Sequence, residues 1–187
     1  MISKPKKEQS LRIIYAAMVN KCMSGVEKKI ISQFDALKRI RDTSLYLLMN
    51  GKPDKQFSQE IADRKIRTIY PESSITNPIK RRKIKLDILS KKIIEEFSYE
   101  DNVIYFRYPL ADSLFYKFLK KMKDYYIVTE HQIPENKIFL EKKLQWRLLP
   151  EIIWGKSVRK RIDGFVGVTQ EIIEYQKMIV GSRKFKG

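Results

Sequence analysis

The sequence predicts an α+β protein, mostly α. A helical region covers 1–97, and an α+β region covers 98–187 and ends in a basic tail. Three observations carry this expectation. Apolar residues recur at three- and four-residue steps through the first half. The first β-branched and aromatic run is Asn102–Tyr108. Proline and serine cluster between 70 and 80. No break is long or polar enough to make a clear flexible linker, so one continuous domain is also compatible with the pattern.

From Glu8 to Ser24, Leu11, Ile14, Tyr15, Met18 and Cys22 fall on one helical seam, and Gly25 is a stop. Cys22 reads as a core residue. A second helix is expected over 26–49, with Val26, Ile30, Phe34, Leu37, Ile40, Ser44 and Leu48 as its seam and Asn50-Gly51 as its end. Ser58 reads as the N-cap of a short helix to Arg67. Pro71 and Pro78 interrupt the chain between 70 and 80. A helix is then expected over 79–97, with Leu86, Leu89, Ile93 and Phe97 on one face.

In the second half Asn102–Tyr108 reads as a strand closed by Pro109, and Leu110–Lys123 as an amphipathic helix. Tyr125–His131 and Lys137–Lys143 read as a β-hairpin, with His131 a surface residue at its edge. A helix broken at Pro150 runs to Arg161, followed by Gly164–Val168 and a last helix over 169–180 that stops at Gly181. Two architectures use the order found over 102–143. One is a winged helix, whose basic helix enters a groove while the hairpin lies on phosphates. The other is a ferredoxin-like sheet that buries Ile104, Phe106, Ile138 and Leu140 and offers Tyr105, Tyr126 and Phe139 for stacking on bases, beside Arg107 and Lys143. A helix-turn-helix trace over 45–83 is opposed by Pro78, which stands where a reading helix should continue.

The 187 residues hold 39 Lys and Arg against 22 Asp and Glu, a formal charge of +17. The excess is +7 over 1–79, +6 over 80–123 and +4 over 124–187. Such a surplus points to a polyanion, because released counterions drive its binding. A lysine-rich proteome would raise the same count. The candidate phosphate contacts are Lys80, Arg81, Arg82, Lys83 and Lys85, then Lys117, Lys120, Lys121 and Lys123, then Lys142, Lys143, Arg159, Lys160 and Arg161. Cations at a helix start oppose the helix dipole, which hints at an external anion near Lys80–Lys85. Trp146-Arg147 and Trp154-Gly155-Lys156 interleave indole with cations, although tryptophan more often anchors a core.

The expected function is nucleic-acid binding without catalysis, DNA favoured over RNA, with nucleic acid the main partner and an anionic membrane another. A structural or assembly protein, viral matrix-like or ribosome-associated, is the alternative. A metal-dependent nuclease using Glu141, Lys143 and Asp124 is a second, resting on a Glu-x-Lys pattern that chance supplies readily. One cysteine and one histidine exclude a disulfide framework and a multi-histidine metal site, and no Gly-x-x-x-x-Gly-Lys-Ser/Thr loop occurs. No cofactor or resident metal is expected. No apolar stretch reaches membrane-spanning length, and no signal-peptide core follows the early lysines. The expected compartment is the cytoplasm, or a host-cell interior for a viral protein.

Overall fold

The computed structural model describes residues 11–132 and 149–181. These residues form an all-parallel sheet of six strands interleaved with helices. In chain order the elements are β1 (Arg12–Val19), α1 (Gly25–Ile40), β2 (Thr43–Met49), α2 (Lys55–Asp63), β3 (Arg67–Ile69), α3 (Pro78–Glu96), β4 (Asn102–Arg107), α4 (Ser113–Lys121), β5 (Tyr126–His131), α5 (Leu149–Arg159), β6 (Gly164–Gly167) and α6 (Gln170–Val180). The strand order is β3-β2-β1-β4-β5-β6. This is the Rossmann arrangement, in which the chain winds outward from β1, returns across it and winds out the other way.

Each helix covers the sheet with one apolar stripe. Ile30 and Phe34 of α1 and Phe57 of α2 pack on Tyr15, Ala17, Leu45 and Leu47. On the opposite face Leu86, Leu89 and Ile93 of α3, Phe115 and Phe118 of α4 and Val158 of α5 pack on Ile14, Ala16, Leu48, Ile104 and Phe106. The central strands are therefore apolar on both sides, and Ile14–Ala17 and Leu45–Met49 are buried without alternation.

Caps fix where the helices begin. Ser24 and Glu27 form a reciprocal capping box at α1. Asp54 caps α2, Asn77 caps α3 ahead of Pro78, Asp112 caps α4 and Thr169 caps α6. Gly181 ends α6 with φ of 79°, a left-handed backbone that glycine adopts without strain.

The fold class expected from the sequence is corrected by this sheet. The first half is not all-helical: Arg12–Val19 of the expected seam is β1, and the helix expected over 26–49 is α1 followed by β2. There is no winged helix and no ferredoxin-like unit among the described residues. Residues 102–131 form β4-α4-β5, and β5 pairs in parallel with β4 and β6. The expected strand over 137–143 lies outside the described residues. β1 and β4, which stand on either side of residue 97, are hydrogen-bonded neighbours. Cys22 is exposed in the turn after β1, and His131 is fully buried, so both expectations for these residues are reversed. No helix among the described residues is long and apolar enough to cross a membrane.

Candidate functional site

In an open parallel sheet ligands enter at the carboxyl ends of the strands, where neighbouring connections leave in opposite directions. Here that point lies between β1 and β4. A cleft of about 380 Å³ opens beside it, lined by Asn20 after β1, Asn50 after β2, Glu27 of α1, and Arg81, Arg82 and Lys85 of α3. Its volume falls within the roughly 300–1,000 Å³ usual for ligand sites. A second cavity of about 410 Å³ lies between α1 and α2. Its Arg64 is paired with both of its carboxylates, Asp35 and Glu60, while Lys28 and Arg39 also line it.

The sequence folds the cleft from short turns. β1 ends at Val19, and the turn Asn20–Ser24 leads into α1. The Glu27 carboxylate accepts from the backbone N–H of Asn20 at 3.0 Å and of Ser24 at 3.1 Å. Burial works to raise the Glu27 carboxyl. The Ser24 hydroxyl and these backbone donors outweigh burial and hold it below the ordinary glutamate range. The carboxylate is thus committed to its own loop. The turn carries no Gly-x-Gly-x-x-Gly fingerprint, so the dinucleotide form of this site is absent.

Three cations enter the cleft from the first turns of α3. Arg82 ion-pairs with Asp112 at 2.6 Å, and its Nη2 donates to the carbonyls of Pro109 at 3.2 Å and Leu110 at 3.0 Å. Leu110 has φ of 63°, a left-handed backbone that costs a non-glycine residue about 1–2 kcal/mol. Arg82 therefore holds the β4–α4 loop in a strained form beside the cleft. Lys85 is buried, and its ammonium donates to Asn50 Oδ1 at 2.7 Å. Burial first, then the charges of Arg82 and Arg81, push it down to about 8. Arg81 donates from Nε to the Ile75 carbonyl. Among the described residues neither Arg81 nor Lys85 has a carboxylate within ion-pair distance. The caps already occupy the terminal amides of α1 and α3, so attraction for an anion falls on these two side chains.

Two buried networks stiffen the neighbouring strand ends. Glu130 accepts from Gln33 Nε2 and the Tyr105 hydroxyl, each at 3.1 Å, and Tyr15 donates to Gln33 at 3.1 Å. Burial, then the Glu130 charge, raises both the Tyr15 and Tyr105 phenols. Farther along, Arg159 bonds Glu151 at 2.5 Å and Gln176 at 2.6 Å. Gln176 reaches His131 Nδ1 at 3.1 Å. No group of three or more metal-ligating side chains occurs among the described residues.

The residues singled out from the sequence divide accordingly. Arg81, Arg82 and Lys85 meet in the cleft. Lys80, Lys83, Lys117, Lys120, Lys121 and Lys123 are exposed on or just beyond α3 and α4, with Lys121 paired to Asp87 at 2.6 Å. Lys160 is exposed, and Arg161 lies over the Tyr116 ring at 4.7 Å. Arg159 is buried in its pair with Glu151 and is not a surface cation. Tyr105 is held by Glu130 and by an edge-on contact with Tyr15 at 5.1 Å, so it is no stacking platform. Tyr126 is exposed. Trp154 packs on Tyr116. Phe139, Glu141, Lys142, Lys143 and Trp146 lie outside the described residues, and Asp124 is exposed before β5, at the sheet edge away from the cleft. Sequence reasoning missed Asn20, Glu27 and Asn50. The Ser24-x-x-Glu27 capping box behind an apolar run was the signal available for Glu27.

No protein-family model and no curated protein sequence matches the chain. Among solved structures it is similar to the apo form of the lipopolysaccharide outer core galactosyltransferase WaaB. The TM-score is 0.57 at 12 % identity, over 91 % of this chain and 43 % of that one. The chain thus spans less than half the length of that structure, and the likeness is one of fold. The chain's parallel α/β fold replaces the winged-helix architecture on which the expected DNA-binding function rested, and the expectations of nucleic-acid binding, a viral protein and a nuclease conflict with a fold neighbour that is a glycosyltransferase. Of the elements that were to read DNA, the helix is α4 beside the sheet and the first hairpin strand is β5 within it.

Proposed function

We propose that this chain serves glycosyl transfer, as a Rossmann-like unit whose cleft at the carboxyl ends of β1 and β2 holds the anionic part of a sugar substrate. The observation that carries this reading is the convergence of Arg81 and Lys85, two cations without a carboxylate partner among the described residues, at the switch point of a galactosyltransferase-like sheet. In glycosyl transfer the bond from the anomeric carbon to the leaving oxygen breaks as the bond to the acceptor oxygen forms. Activated donors carry that leaving oxygen on a phosphate, so negative charge grows there. Fixed cations in a cleft stabilise such charge more than water does.

Arg81 and Lys85 hold the phosphate in this reading. Arg82 is a positioning residue, because it is spent on Asp112 and on the β4–α4 loop. Equilibrium binding of nucleotide-diphosphate sugars, sugar phosphates and uncharged oligosaccharides tests the proposal. Phosphorylated sugars are expected to bind and uncharged ones not to. Lys85→Ala is expected to weaken binding about 10- to 100-fold, the usual worth of a hydrogen bond to a charged group. Equal binding of charged and uncharged sugars, or indifference to Lys85→Ala and Arg81→Ala together, would contradict it.

A further inference from the structure

The helices on the two faces of the sheet differ sharply in charge. α1 and α2 hold five cations and four carboxylates, a net +1. α3, α4 and α5 hold twelve cations and four carboxylates, a net +8. Without Arg81, Arg82 and Lys85 of the cleft and the buried Glu151–Arg159 pair, eight cations and three carboxylates remain, a net +5. Lys80 and Lys83 of α3, Lys117 and Lys120 of α4, and Lys156 of α5 are all exposed. α3 packs beside α4 and α4 beside α5, so these lysines share one broad face.

Large apolar side chains stand on the same face. Ile79 is 68 % exposed, Ile152 48 % and Ile153 61 %. Ile152 and Ile153 lie four and three residues before Lys156, on the same side of α5. Each helix starts at the carboxyl edge of the sheet, so these isoleucines line the edge that also holds the cleft. Between α3 and α4 runs a groove of about 270 Å³ with Leu86, Leu114 and Phe118 in its floor and Lys83, Lys117 and Lys121 on its rim.

We propose that the α3–α4–α5 face docks on an anionic lipid bilayer. The lysines meet headgroup phosphates, and the isoleucines enter the boundary between headgroups and acyl chains. A cationic face alone would suit any polyanion. The bilayer is favoured because it also receives the exposed isoleucines and the apolar groove floor, to which a polynucleotide backbone offers nothing. The geometry places the cleft at the lipid surface, open to a substrate held there.

Flotation with vesicles tests this without any sugar, so its outcome is independent of the glycosyl-transfer reading. The chain is mixed with vesicles of phosphatidylcholine alone or with added phosphatidylglycerol. It is expected to float only with the latter, and less at high salt. Each lysine near such a surface is worth roughly fivefold in partitioning, so the triple variant Lys83→Gln, Lys117→Gln, Lys120→Gln should bind about 100-fold more weakly. The double variant Ile152→Ser, Ile153→Ser keeps the charge and should lose about tenfold. All five side chains are exposed, so the fold is retained. Absence of flotation with phosphatidylglycerol overturns the proposal. So does binding that the isoleucine variant leaves unchanged and duplex DNA displaces, which marks a general polyanion surface.

Discussion

Arg82 and Asp112 approach to 2.6 Å and tie the second turn of α3 to the cap of α4 beside the cleft. The same guanidinium holds the Pro109 and Leu110 carbonyls, so one side chain fixes the strained loop after β4. Arg82→Met should cost about 2–3 kcal/mol, because Asp112 is left partly buried without its cation. Hydrogen exchange should speed up over residues 108–112 and stay unchanged in α1. Denaturant unfolding and exchange measured together check this; unaltered exchange in the loop would contradict it.

Lys85 makes stability depend on alkaline pH. Its folded value, about 8, lies below that of a free lysine, so between pH 8 and the ordinary lysine range the unfolded chain binds more protons. Stability therefore rises with pH through that window, by up to about 3 kcal/mol relative to a variant without the amine. Unfolding free energies of the wild type and Lys85→Met, compared across this range, should diverge by that rise; the raised Tyr15 and Tyr105 phenols lower stability toward its upper end in both. A bound anion would raise the Lys85 value, so affinity for a phosphorylated ligand should fall as pH passes about 8.

Glu151 and Arg159 form a buried pair one face of α5 apart, and Gly155 lies between them. A Cβ on Gly155 would stand 2.8 Å from Arg159 Nη1 and 2.9 Å from Glu151 Oε1. Glu151→Ala should destabilise by about 3–5 kcal/mol, since it strands a buried guanidinium. Gly155→Ala should cost less, about 1–3 kcal/mol, by pushing the pair apart. Thermal unfolding in the same buffer ranks the two, and the reverse order would contradict the packing described.

The capping box gives a smaller effect with the same sense of slope, but in the acid range. Glu27 is held below its ordinary range, so its contribution is present above the unfolded value and lost as pH falls through the folded one. Ser24→Ala should cost about 1 kcal/mol near neutral pH. Acid unfolding of Glu27→Gln should lack the corresponding part of the pH dependence.

Much of the chain from residue 77 onward was legible in the sequence because capping and breaking residues mark its boundaries. Asn77-Pro78 starts α3, Pro109 follows β4, and Thr169 and Gly181 bracket α6. The first half misled for a physical reason. β1 is buried on both faces, so its run Arg-Ile-Ile-Tyr-Ala-Ala-Met-Val lacks the alternation that marks a half-exposed strand. Its two alanines also favour a helix. Between α1 and β2 only Arg41-Asp42 intervenes, with no Gly or Pro, and Ser44 and Leu48 continue the helical spacing of Phe34 and Leu37 by coincidence. Reading β1 and β2 as helices removed the parallel sheet and, with it, the cleft. The charge on Lys80–Lys85 was visible from composition. That only Arg81, Arg82 and Lys85 turn into a cavity beside Asn20 and Asn50 depends on α3 crossing back to the far side of β1, which no local pattern encodes.

Amide chemical shifts recorded while a nucleotide-diphosphate sugar is titrated into the chain test the central claim most directly. The account predicts that the largest changes gather at Asn20, Asn50, Arg81 and Lys85 and vanish in Lys85→Ala. Shifts confined to the outer lysines of α3 and α4, or no saturable shift at all, would contradict it.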